Sequence, residues 1–206
     1  MNGVSFGMQR NRRQFLKASS TAVLGFPTII PRHVLGGPNR VPPSEKVNIG
    51  MIGVGGKGKE NTGNLLGLDD VQVTAMADPA EYWDLADFYY KTDAGMGPVT
   101  KLAEAHYSAK SPNYRISRYE DFRVMIEKES SLDAVVCSTP DHSHAYVSAL
   151  AMRAGKHVYC EKPLTHNLWE VRQVRDIARE TGLATQMGNG GHSSDGIRQT
   201  VEYVKA

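Results

Sequence analysis

Cysteine is nearly absent: 206 residues hold only Cys137 and Cys160. That excludes a disulfide framework. Both cysteines fall near the ends of expected parallel strands, where bridges form poorly, so two buried thiols are expected. Long apolar runs are also missing. Ala18–Ile30 is only modestly apolar, is broken by Gly25 and Pro27, and has 13 residues. A spanning helix needs about 20, so this run cannot cross a membrane. Acidic residues are absent before Glu45, while residues 1–44 hold six Lys/Arg. The rest of the chain carries 18 basic and 22 acidic residues, a net of −4. No basic patch is left to hold nucleic acid.

What is present divides the chain in three. Asn11-Arg12-Arg13-Gln14-Phe15-Leu16-Lys17 resembles a twin-arginine export signal, with Asn in place of the usual Ser or Thr. The short apolar run after it suits the core of a signal peptide. Residues 1–44 are therefore expected to be a leader and linker, with the twin-arginine machinery as partner and a periplasmic or exported location. Residues 45–190 read as one dinucleotide-binding domain, and 191–206 as the start of a second.

In 45–190, strand-like and helix-like runs alternate. Val47–Ile52 is a short apolar strand. Gly53-Val54-Gly55-Gly56-Lys57-Gly58 follows, then a helix-like run from Glu60 to Leu68. This is G-x-G-x-x-G between a strand and a helix, the context in which it binds a dinucleotide. Gly53 permits the turn, Gly55 lets the backbone reach a pyrophosphate beside Gly56, and Gly58 packs helix on strand. Val71–Ala77 is the second strand. Asp78, which ends it, lies 20 residues after Gly58, the spacing of the acid that holds adenosine ribose hydroxyls. A carboxylate there repels a 2′-phosphate, so NAD is favoured over NADP. Asp78 also suits an N-cap before Pro79.

Asp84–Tyr89 reads as surface helix and Asp93–Pro98 as loop, within an insertion spanning about residues 87–100 that suits a lid or an oligomer contact. Tyr82, Trp83, Phe88, Tyr89 and Tyr90 are expected to pack. Tyr114–Ile116 is a candidate third strand, followed by a helix opened by Tyr119–Phe122. The alternation predicts an α/β doubly wound parallel sheet.

Leu132–Leu164 (LDAVVCSTPDHSHAYVSALAMRAGKHVYCEKPL) organises the chain. Leu132–Cys137 reads as a buried strand, Asp141 as the cap of a helix ended by Gly155, and His157–Cys160 as a parallel second strand. Ligands bind beyond the carboxyl ends of such strands, which here carry Ser138–Asp141 and Glu161–Pro163. Lys162, at the mouth of that crevice, can hydrogen-bond a substrate hydroxyl or move a proton. Asn167 should cap a helix to Thr181 with Trp169, Val171, Val174, Ile177 and Ala178 inward. Ala184–Met187 follows as a strand, Gly188–His192 as a loop, and then a helix with Ile197, Val201 and Val204 inward.

Thr139-Pro140, His144, Gly155-Lys156-His157-Val158 and Glu161-Lys162-Pro163-Leu164, in that order and spacing, closely resemble the signature of the Gfo/Idh/MocA oxidoreductases. The resemblance covers about residues 46–206 and implies a Rossmann-type domain that binds NAD. It implies hydride transfer at a CH–OH group of a sugar or polyol, with Lys162 as the catalytic residue. Thr139, Pro140, His144 and Glu161 would line the nicotinamide side. One branch, similar in its export leaders, uses bound NAD to hydrolyse glycosides by transient oxidation, elimination and re-reduction. Family members carry a second α/β domain with a mostly antiparallel sheet; here it is largely missing, and the chain reads as a fragment. His192 does not match the acid/base histidine of that domain. No metal is expected, and the complete chain is expected to be a homo-oligomer. An exported member should load its cofactor before export and keep it.

Overall fold

The computed structural model describes residues 41–206. The expected leader, up to residue 40, lies outside them. After a single 3₁₀ turn at Pro43–Glu45 come β1 (Val47–Ile52), α1 (Gly56–Leu66), β2 (Val71–Ala77), β3 (Trp83–Asp84), β4 (Asp93–Ala94) and α2 (Met96–Ser108). Then follow β5 (Ser117–Tyr119), α3 (Phe122–Lys128), β6 (Ala134–Cys137), α4 (His144–Arg153), β7 (His157–Glu161), α5 (Leu168–Thr181), β8 (Thr185–Gly188), α6 (Gly190–Ser193) and α7 (Asp195–Lys205). Six strands form one parallel sheet in the order β5-β2-β1-β6-β7-β8.

The alternation along each strand divides the core into two layers. Ile49 and Met51 of β1 join Val73, Met96 and Val99 on one face; Ile52 joins Met125, Val135, Val147 and Ile177 on the other. Right-handed crossovers account for this. Connections running leftward from β1 put α1 and α2 on the first face. Those running rightward from β5 put α3, α4 and α5 on the second. Because β1 and β6 are neighbours, the chain reverses direction between them, and a crevice opens at their carboxyl ends.

Helix ends follow local chemistry. Asn167 caps α5 by accepting from the Glu170 N–H at 3.0 Å, and the Glu170 carboxylate accepts from the His166 N–H at 2.7 Å. This is a reciprocal cap. Gly182 ends α5 at φ +64°, a conformation glycine adopts without strain. Buried Lys156 donates to the carbonyls of Ser130 and Leu132 at 2.9 and 2.7 Å, holding the turn before β6.

Several expectations are corrected. The first helix begins at Gly56, not Glu60, so its first turn is made of the glycine motif itself. The expected surface helix at 84–89 is a two-stranded hairpin, Trp83–Asp84 against Asp93–Ala94. There the Asp84 carboxylate accepts from the Ala86 N–H at 2.9 Å, a local bond that competes with helix. The 93–98 loop is instead β4 and the start of α2.

The third main strand is Ser117–Tyr119, not Tyr114–Ile116. Tyr114 uses its hydroxyl on the Val73 carbonyl at 2.8 Å. Asp141 opens a 3₁₀ turn rather than capping α4, which starts at His144. The Gly188–His192 loop contains the short helix α6. On α5 only Val174 and Ile177 are buried; Trp169 and Val171 are exposed. On α7 Val201 and Val204 face solvent. The five aromatics from Tyr82 to Tyr90 are likewise exposed rather than packed in the core.

Candidate functional site

A crevice of about 440 Å³ lies over the carboxyl ends of the central strands. Gly53, Gly55, Gly56, Asp78, Thr139, Pro140, His144, Glu161 and Lys162 all line it. Of the expected site residues, Gly58 alone lies beneath the wall. A Cβ there would meet the Gly53 carbonyl oxygen at 2.0 Å, so this glycine serves helix-on-strand packing.

The glycine turn follows directly from β1. Gly53 has φ +80°, and a Cβ on it would strike the backbone of Ser138 and Thr139 at 2.8–2.9 Å. The turn therefore rests on the loop after β6. At Gly55 a Cβ would meet nothing within 4 Å; its open side is free for an incoming group. Among the described residues no side chain caps α1, so its first N–H groups are available to an anion.

Asp78, at the end of β2, accepts from the Val54 N–H and the Ala80 N–H, both at 2.8 Å. The first bond fixes the carboxylate beside the glycine turn; the second closes a local turn over Pro79, and since no helix starts there the expected N-cap role is not met. Each oxygen retains a lone pair for a further donor. The sheet order also brings Arg118 of β5 to Glu81, with which it forms an ion pair.

Two buried side chains brace the loops after β6 and β7. His144 is 1% exposed. Its ring nitrogens lie 2.5 Å from the Pro163 carbonyl oxygen and 2.8 Å from that of Thr139. Both ring nitrogens thus face backbone carbonyls, and the ring ties the two loops together. Glu161 accepts from the Asn61 amide at 2.8 Å, and the same amide nitrogen reaches the Ser138 hydroxyl at 3.0 Å. Lys162 is exposed at the mouth, next to Glu161 in the chain.

Cys137 and Cys160 are register partners on β6 and β7, both free and buried. The Cys137 thiol is pushed down to about 7, chiefly by the hydrogen bond it shares with Cys160 and then by Thr139 and the nearby His144. Cys160 is pushed up by that same bond and by burial. With His144 they form a cluster whose ligand atoms lie within 4.8 Å. Both imidazole nitrogens of the cluster already face carbonyl oxygens.

Ser138, expected at a strand end, lines the crevice, as do Trp83 and Tyr90, which the sequence marked only as packing aromatics; Asn61 also belongs to the site's surroundings but carried no signal in the sequence. Asn61 sits one turn after Gly58, and an exposed helical asparagine would read the same way.

Over residues 47–189 the chain matches the family described as oxidoreductase, NAD-binding Rossmann fold. It is 27% identical over 187 residues to a glycosyl hydrolase family 109 protein of Shewanella pealeana, covering 84% of this chain and 38% of that one. It is 25% identical over 166 residues to levoglucosan dehydrogenase of Pseudarthrobacter phenanthrenivorans, covering 78% and 37%. The chain thus spans less than half the length of these relatives. Scyllo-inositol dehydrogenase of Lactobacillus casei, solved with NAD(H) and scyllo-inositol, shares the fold. Its TM-score is 0.59 at 20% identity, over 78% of this chain and 41% of that one. With its glycine turn, parallel sheet order and strand-end motifs in place, the chain belongs to the Gfo/Idh/MocA oxidoreductase family, which has an NAD-binding Rossmann fold.

Proposed function

We propose that this chain is the nucleotide-binding portion of an NAD-dependent enzyme that acts on a sugar or polyol at a CH–OH group. One observation carries the reading: the glycine turn, Asp78 and Lys162 open onto a single crevice. When bound there, the dinucleotide accepts or returns a hydride. Gly55, Gly56 and the first N–H groups of α1 hold the pyrophosphate, and Asp78 holds the adenosine ribose. Thr139, Pro140, His144 and Glu161 line the nicotinamide side, with His144 fixing two loops and Glu161 fixed by Asn61. Lys162 hydrogen-bonds the reacting oxygen and eases its proton loss.

Lys162→Ala tests this. In the active protein, turnover should fall by about 10²–10⁴-fold, the range of a positioned acid–base group, while NAD affinity stays within a few-fold. Unchanged turnover removes the role.

A second reading is a glycosidase that uses the nucleotide without consuming it. Its support is the 27% identical relative, a glycosyl hydrolase family 109 protein. Release of p-nitrophenol from a nitrophenyl glycoside with no net NADH would select it. Export by the twin-arginine route is part of the proposal. Replacing Arg12 and Arg13 by lysine should leave the protein in the cytoplasm; unaltered export would remove that part. Residues 191–206 are proposed to lead into a substrate domain, and the complete protein to be a homo-oligomer.

A further inference from the structure

The hairpin β3–β4 has a fixed stem and an aromatic tip. Lys59 of α1 donates to the Thr92 hydroxyl and to the carbonyl and carboxylate of Asp93, each at 2.7 Å. The Gly95 N–H donates to the Val54 carbonyl at 3.0 Å, tying the second strand to the glycine turn. Leu85 is buried under the stem. Among the described residues the tip has only local backbone bonds, Phe88 N–H to Leu85 and Lys91 N–H to Phe88.

From that tip Tyr90 lies on the glycine turn. A Cβ at Gly56 would sit 2.1 Å from Tyr90 Cδ2 and 2.4 Å from Cγ, so the ring covers the α-carbon where only glycine fits. Lys57 and Glu161 are near enough to act on its hydroxyl, which burial first of all pushes above the usual tyrosine range. Trp83, at the base of the hairpin, shares the crevice wall with Pro79 and Phe122, close in the chain to Asp78. Tyr90 is 37% exposed and Trp83 51%. Rings that served only the core would be covered; these two present faces to the crevice.

We infer that the 83–94 hairpin is a clasp on the bound dinucleotide, with Tyr90 over the phosphate-binding turn and Trp83 toward the adenosine end. The inference rests on the proposed placement of the nucleotide in this crevice. Aromatic faces stack on bases whatever the sequence around them. A stem bonded to α1 presents them already in position, which slows release more than it speeds entry.

The test is NADH release from the chain, followed by stopped flow after displacement with excess NAD. The chain has two tryptophans, Trp83 and Trp169. Trp169→Phe leaves Trp83 as the sole reporter, and its emission should be quenched when NADH binds. Trp83→Ala should speed release by about tenfold, the scale of one lost stacking contact, and Tyr90→Ala, which uncovers the phosphate turn, should speed it several-fold. Tyr89→Ala, at a ring 90% exposed beside Tyr90 and off the crevice wall, should leave release unchanged. Release at the wild-type rate from both Tyr90→Ala and Trp83→Ala would overturn the clasp. So would faster NADH entry with unchanged release in Tyr90→Ala, which would mark the ring as an obstruction. No NADH binding by the unaltered chain would sink the nucleotide placement itself, and the clasp with it.

Discussion

Arg118 and Glu81 decide more together than either does alone. Asp78 repels a 2′-phosphate, yet the sheet order carries a guanidinium to within three residues of it along the β2 loop. The Glu81 carboxylate occupies that guanidinium. Glu81→Ala should free it, and NADP should then bind about tenfold more tightly, the worth of one charge-assisted contact near a surface. Titration of both nucleotides reads this; an unchanged NAD-to-NADP ratio would contradict it.

Cys137 offers a second residue-scale test. Its folded thiol ionises near 7, below the ordinary thiol range. A depressed folded value adds stability above the unfolded value and loses it as pH falls through the folded one. Stability should therefore rise from about pH 7 toward the ordinary thiol range near 8.5, above which raised Cys160 acts the other way. Thiolate absorbance should show one thiol titrating near 7, moved upward by Cys160→Ser. Two thiols titrating together in the ordinary range would contradict the pair. The sequence put the two thiols on neighbouring parallel strands, but neither their shared hydrogen bond nor the Arg118–Glu81 pair was legible. Arg118 and Glu81 are far apart in the chain, and the thiols gave no cue beyond their strand-end positions.

At the scale of elements, local chemistry was the readable part. Val47–Ile52 and Val71–Ala77 appear as expected, because short β-branched runs closed by Gly53 and Asp78 allow little else. Asn167 and Gly182 bound α5 for the same reason. Where a tertiary contact overrides the local pattern, the sequence misleads. Tyr114 looks like strand but spends its hydroxyl on Val73, and the strand forms three residues later. Asp84–Tyr89 has helical spacing, yet Lys59 holds the Thr92–Asp93 end and a hairpin results.

Lys156 shows the converse. It matched a motif without a stated role, and its buried ammonium serves two carbonyls before β6. Lys156→Ala orphans both and should cost about 1–3 kcal/mol, measured by urea unfolding. A loss under about 0.5 kcal/mol, typical of a surface substitution, would show that the carbonyls find other partners.

At the scale of the molecule, the parallel order gathers every expected site residue but Gly58 onto one crevice, and puts Gly58 directly beneath it. The motif spacing foretold that gathering, since each residue follows a strand at its carboxyl end. The insertion suited a lid or an oligomer contact, but its reach to the glycine turn comes only through folding, and its aromatics read as packing. The exposed stripe of Val201 and Val204 on α7 is similar. Its helical period was legible, but the side that would cover it was not. A clasp that slows release also suits a protein proposed to carry its nucleotide through export.

The most direct measurement is a crystal structure of the chain with NAD. It should place the pyrophosphate against Gly55 and Gly56, the adenosine ribose on Asp78, and the nicotinamide ring beside the Lys162 amine. A dinucleotide bound elsewhere, or a nicotinamide ring far from that amine, would contradict the account.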